Sequence, residues 1–192
     1  MEAIEVIDYK GYKIEIYPDE MAESPRGEGY DNLSTMVCFH GRYELGDKTD
    51  LNSDMFNGWA ELEAYLIKEK KAEIILPLYM YDHSGITIST TPFSCPWDSG
   101  QIGFVYVSKK AIQKEYGRCT KLARKKAEKV LLSEVETYDQ YIRGEVYGYK
   151  IMKDEKEIDS CWSWFGDYKE MIKECKIIIE NKLESKKELA LK

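Results

Sequence analysis

Apolar positions along the chain follow several distinct rhythms. Residues 4–17, "IEVIDYKGYKIEIY", alternate apolar and polar on either side of Tyr9-Lys10-Gly11, which predicts a hairpin of two half-buried strands. Residues 18–32 gather Pro, Gly, Ser and charge, and predict a loop. "LSTMVCFHG", 33–41, is rich in β-formers and stops at Gly41. The turn-dominated stretch after it leads into a helix near Trp59, with Trp59, Leu62, Tyr65 or Leu66, and Ala72 assigned to its buried face. "AEIILPLYMY", 72–81, is apolar almost throughout, as in a strand buried on both faces, and Pro77 there calls for a bulge or an edge position. "ITISTT" reads as a short return strand and "IGFVYVS", 102–108, as another strand.

The second half of the chain turns helical. Ser108 caps "KKAIQKEYG", which ends at Gly117. Leu122, Ala123, Ala127, Val130, Leu131, Val135, Tyr138 and Ile142 recur every three or four residues and predict a helix over about 120–143, stopped by Gly144. Residues 145–166 predict a hairpin turning at 153–157. Asp167 then caps a helix that carries Tyr168, Met171, Ile172, Cys175, Ile178, Ile179 and Leu183 on one face. Strands grouped early and helices late predict an α+β fold, mainly antiparallel sheet with three to four helices. No repeat or linker divides it, so the expectation is a single domain over 1–185 with a frayed tail at 186–192.

Composition narrows the function classes. An apolar share of 43% with 33% charge suits a globular protein of 192 residues. A net charge of −7 argues against direct nucleic-acid binding, which favours a basic excess. Five scattered cysteines without a C-x-x-C pair signal neither a disulfide framework nor a zinc finger. The N-terminus "MEAIEVIDYKGYK" has acids where a signal peptide would be basic, and no apolar run reaches bilayer-spanning length. Reduced thiols in a cytoplasm, with no membrane partner, are the expectation. Neither G-x-G-x-x-G nor a P-loop occurs, and no cofactor is expected. Tyrosine is the oddity, at 15 against 5 phenylalanines, and its amphipathic ring suits interfaces.

Candidate chemistry collects in "DHSGITISTTPFSCPWDSGQIGF", residues 82–104. Cys95, His83 and Asp98 supply the side-chain types of a nucleophile, its base and an orienting acid, as in a cysteine-dependent hydrolase. Against this, Pro96 follows the thiol, so Cys95 does not open a helix that would activate it. Cys38, His40, His83 and Cys95 form a Cys2His2 set for a metal, with Cys38 and His40 on one strand face through their i, i+2 spacing. The other two ligands are isolated in sequence. A third candidate is a binding surface for a small polar ligand or a partner, made by Tyr81, Asp82, His83, Ser84, Cys95, Trp97, Asp98, Ser99 and Gln101. Strand ends joined by a loop should bring Tyr81 and Asp82 beside Trp97 and Asp98. The competing assignment makes Trp97 core and Asp98 a turn cap.

The phrases "YDNLSTMVCFHGRYELGD", "LPLYMYDHSGITISTTPFSCPWDSGQIGFVYVSK", "ETYDQYIRGEVYGY" and "EIDSCWSWFGD" cover about residues 28–167. In them the chain resembles a family of small proteins of bacteriophages and other bacterial mobile elements, for which no activity is established. The resemblance implies an accessory protein acting in the host cytoplasm, in a niche where proteins often counter CRISPR–Cas, restriction or nucleotide-signalling defences. The expectation is an inhibitor that binds, not an enzyme, with a host defence protein or a small polar ligand as its partner. A homodimer is left open, and the alternative is a cysteine- or metal-dependent hydrolase using Cys95, His83 and Asp98.

Overall fold

The computed structural model describes residues 2–190, with side chains as far as residue 185. In chain order the first elements are β1 (Glu5–Tyr9), β2 (Tyr12–Pro18), β3 (Thr35–Cys38), α1 (Trp59–Lys68), β4 (Ala72–Asp82), β5 (Ile86–Ser89) and β6 (Ser99–Ser108). Then come α2 (Lys109–Tyr116), α3 (Lys121–Ile142), β7 (Val146–Lys153), β8 (Lys156–Phe165) and α4 (Tyr168–Ala190). Four helices and two antiparallel sheets make an α+β fold. Where the sequence shows no linker, the contacts gather into two compact units, Met1–Glu23 with Gly144–Lys192, and Ser24–Arg143. The helix α4 runs to Ala190, into the segment 186–192 set apart above as a tail, and residues 191–192 lie outside the described residues.

The first unit is a four-stranded sheet, β1-β2-β7-β8, with α4 on one face. Tyr12, Ile14 and Ile16 of β2 and Tyr149 and Ile151 of β7 meet Met171, Ile172, Cys175 and Ile179 of α4 in one core. Both hairpins turn on two residues with positive φ, Lys10-Gly11 and Asp154-Glu155. Paired positive φ values match the right-handed twist of the flanking strands, so these turns also fix the register.

The second unit is a sheet in the order β3-β6-β4-β5, covered on both faces. Val105 and Val107 of β6 face Ala127, Leu131 and Val135 of α3, with Ile112 of α2 joining them. On the other face Phe104 and Tyr106 meet Leu62 and Leu66 of α1. Burial on both faces explains the unbroken apolar runs in β4 and β6. Pro77 is tolerated because β5 pairs only with 79–82 of β4, leaving Pro77 unpaired on that side, and a register shift follows at Leu78/Tyr79. Two periodicity assignments move. Ala72 belongs to β4 and not to α1, since the helix ends at Lys68 and Lys71 turns the chain with φ 54°. Leu122, in the first turn of α3, is 65% exposed and off its buried face.

Candidate functional site

The segment 82–104 splits between a turn, a loop and a strand, and the antiparallel register of β4 on β6 pulls these together. Tyr81 pairs with Ser99, and the Asp82 N–H donates to the Asp98 carbonyl at 2.8 Å. Tyr81 and Asp82 end β4, His83 and Ser84 form the turn before β5, and Cys95, Trp97 and Asp98 lie in the loop before β6. Ser99 and Gln101 belong to β6 itself. The turn needs left-handed backbone at both Ser84, φ 57°, and Gly85, φ 150°. The loop is tied down by the Ser99 hydroxyl, which donates to the Cys95 carbonyl, and Gln101 Nε2 donates to the Gly103 carbonyl. Tyr81 stacks against His83 and packs on Phe93.

Cys95, His83 and Asp98 do converge. The arrangement, however, has the carboxylate in the middle: Asp98 Oδ2 stands 3.3 Å from His83 Nδ1 and accepts from Cys95 Sγ at 3.6 Å. A hydrolytic thiol needs the imidazole as its direct base, with the acid behind the ring. Here the thiol's hydrogen-bond acceptor is a carboxylate, a weaker base than a thiolate by roughly 4 to 5 pKa units in ordinary side chains. Such an acceptor orients the thiol proton without removing it. The His83 and Asp98 side chains are 65% and 38% exposed, so the cluster lies open to water. Beside it, Trp97 is 92% exposed, which removes it from the core.

The Cys2His2 set does not assemble. The strand β3 ends at Cys38, so His40 lies beyond it and the i, i+2 face is lost. The thiol of Cys38 packs against Gly46, where an added Cβ would come within 3.0 Å of the sulfur. Burial, with the Asp47 carboxylate nearby, pushes that thiol up to about 12, away from the thiolate a metal requires. His40 stacks on Tyr43 and its Nδ1 accepts from the Arg42 N–H. Among the described residues no group of three or more His, Cys, Asp or Glu side chains is placed to hold a metal ion.

What the sequence did not announce is a cleft in the second unit, with a volume of about 1130 Å³, walled by the chain segments 24–28 and 38–53, by Trp59 and by the end of α3. Its floor is an ionic network. The Arg26 side chain, 2% exposed, grips both oxygens of Asp47, reaches Glu134 at 3.4 Å and donates to the Ser34 carbonyl at 2.8 Å. Glu134 also accepts from the Leu33 and Ser34 N–H groups and from the Ser34 hydroxyl. The Tyr138 hydroxyl accepts the Gly46 N–H at 3.0 Å, and burial raises its pKa above the usual tyrosine value. On the rim, Arg42 pairs with Asp82, whose other oxygen accepts from the Tyr43 hydroxyl at 3.4 Å. The 40–43 segment thus joins the cleft to the Trp97 loop. The signal for the cleft was the tyrosine excess and the turn-rich stretch "GRYELGDKTD", neither of which points to a lining.

Among the described residues no helix is long and apolar enough to cross a membrane. No family model matches the chain, and no curated protein or solved structure matches it.

Proposed function

We propose that the protein works by binding, as an accessory protein of a bacteriophage or mobile element that inhibits a bacterial defence component in the host cytoplasm. The setting comes from the family resemblance. The mode rests on one observation: the Trp97 indole is 92% exposed on a loop held by backbone and side-chain hydrogen bonds. A monomer gains nothing by presenting its largest apolar side chain to water, whereas Trp dominates interface energetics when a partner covers it. Asp82, Asp98 and Arg42 ring the indole's loop with charge that a partner can read. Capture of a small polar ligand or a nucleotide is the form this takes if the partner is not a protein.

The second reading, a cysteine hydrolase, is favoured by the convergence of Cys95, His83 and Asp98. One experiment separates the two. Trp97→Ala, Asp98→Ala and Cys95→Ala are compared in a binding assay against partners pulled from host lysate, with thermal melts alongside. Binding through the loop predicts that Trp97→Ala and Asp98→Ala each lose more than about 1 kcal/mol of affinity, roughly fivefold, with melting unchanged. Cys95→Ala is expected to leave the effect largely intact. A loss of about a hundredfold in Cys95→Ala, with the fold preserved and Trp97→Ala unaffected, promotes the hydrolase.

A further inference from the structure

We propose that the cleft of the second unit receives a basic side chain, arginine above all, from a short segment of a partner protein. Six aromatic rings line it, and they come in three near-parallel pairs. Phe39 and Trp59 lie 12° apart in plane, His40 and Tyr43 11°, and Tyr138 and Tyr141 13°, with centroids 6.4, 5.1 and 6.3 Å apart. Tyr138 is itself buried, and the partly exposed rings of the set offer the aromatic surface on which a guanidinium stacks. The chain already uses this contact once, laying Arg42 over the Tyr43 ring at 5.5 Å.

Charge selects the sign of the guest. The lining holds two cations, Arg26 and Lys48, against three carboxylates, Glu28, Glu44 and Asp47; Glu134, paired with Arg26, adds a fourth, and Arg42 and Asp82 on the rim offset each other. Arg26 is consumed by Asp47 and Glu134. Glu28 and Glu44 are exposed and make no ion pair among the described residues. An incoming anion would meet this acidic surplus, and a cation is drawn by it. Size selects the source. At about 1130 Å³ the cleft has room for a side chain arriving with a stretch of backbone. This guest is independent of whatever covers Trp97.

The test titrates the full chain with a blocked tripeptide carrying a central arginine, followed by NMR of the backbone amides and by calorimetry. The same peptide with citrulline keeps the shape and removes the charge. The expected result is binding that shifts the amides around Tyr43 and Tyr141, about tenfold tighter for arginine than for citrulline. Glu44→Gln, an exposed change that leaves the core alone, is expected to weaken the arginine peptide about threefold, and added salt to weaken it further. Equal affinity for the citrulline peptide, no binding of either peptide, or an adenine nucleotide seated in the cleft more tightly than the arginine peptide would overturn the proposal. So would an arginine affinity untouched by Glu44→Gln.

Discussion

The sheet of the first unit has one helix, α4, on one face, and its other face carries Val6, Lys13, Glu15, Tyr17, Lys150 and Trp162. The sheet of the second unit is packed on both faces, by α2 and α3 on one and α1 on the other. The consequence is a different place for chemistry. A half-covered sheet can display side chains from its strands, and Val6 at 54% and Trp162 at 38% exposed are so displayed. A doubly covered sheet spends both faces on the core, so its polar and exposed groups move to strand ends and connecting segments. That is where the Trp97 loop and the cleft lie. The two units also treat charge differently. Lys10–Glu180, in the first, is an ion pair with side chains 47% and 43% exposed, whereas Arg26 in the second is 2% exposed among carboxylates.

The largest effect expected follows from that contrast. Arg26→Ala strips the counter-charge from Asp47 and Glu134 and leaves the Ser34 carbonyl without its donor, a loss of about 3 to 5 kcal/mol by urea unfolding. Lys10→Ala, which removes an exposed pair, should leave the urea midpoint within the scatter of surface substitutions. If both variants lose stability alike, the cleft floor is no more desolvated than the first unit's surface, and the contrast fails.

A smaller effect probes the open face of the first sheet. Trp162 lies flat on the backbone of Gly148, where an added Cβ would stand 2.2 Å from the ring. Tyr17 packs on the same indole at 6.0 Å. Gly148→Ala therefore displaces the ring, at a cost of about 1 to 3 kcal/mol. In a Trp162→Ala background the clash is gone, so the cost should shrink, and a double-mutant cycle should return a coupling near 1 kcal/mol. Strict additivity would mean that the ring does not rest on the glycine.

The same contrast governs what was legible in the residues. Strands of the first unit read as alternation because only one face is buried: Tyr12, Ile14 and Ile16 alternate with Lys13 and Glu15. The runs of β4 and β6 read as doubly buried for the opposite reason, and Pro77 correctly flagged a missing neighbour. The helix caps at Ser108 and Asp167 were equally visible, since Ser108 accepts from the Ala111 N–H and Asp167 from the Lys169 N–H. The approach of Tyr81 and Asp82 to the loop of Trp97 and Asp98 followed from strand ends that must meet. The order within the cluster did not, because which atom of Asp98 faces which neighbour depends on the loop's backbone. The cleft was illegible for a related cause. Arg26 and Glu134 are 108 residues apart, and nothing in a charged loop residue announces a distant buried partner. Nor does composition say that Tyr138, read as helix core, has its hydroxyl on the Gly46 amide.

The smallest effect compares the two units through the thiols of Cys38, half-buried, and Cys175, buried. Burial pushes Cys38 in the second unit and Cys175 in the first from an ordinary 9.0 up to about 12. Between those values the unfolded chain has lost each thiol proton and the folded chain keeps it, so the unfolded state binds fewer protons. Stability is therefore complete below pH 9 and falls as pH rises toward 12, by at most about 1.4 kcal/mol per pH unit for each thiol. Tyr149, raised by burial to about 12, adds to the fall in the same direction above its ordinary 10.0. Urea midpoints measured from pH 8 to 10.5 should decline, and Cys38→Ala and Cys175→Ala should each flatten the decline by up to one proton. The slope is the informative quantity, because the methyl-sized void left by either change shifts all midpoints together. An unchanged slope in Cys38→Ala would mean that this thiol titrates as it does in water. The Asp47–Arg26 pair near it would then be wet, and the Arg26 network would lose the desolvation on which its large cost depends.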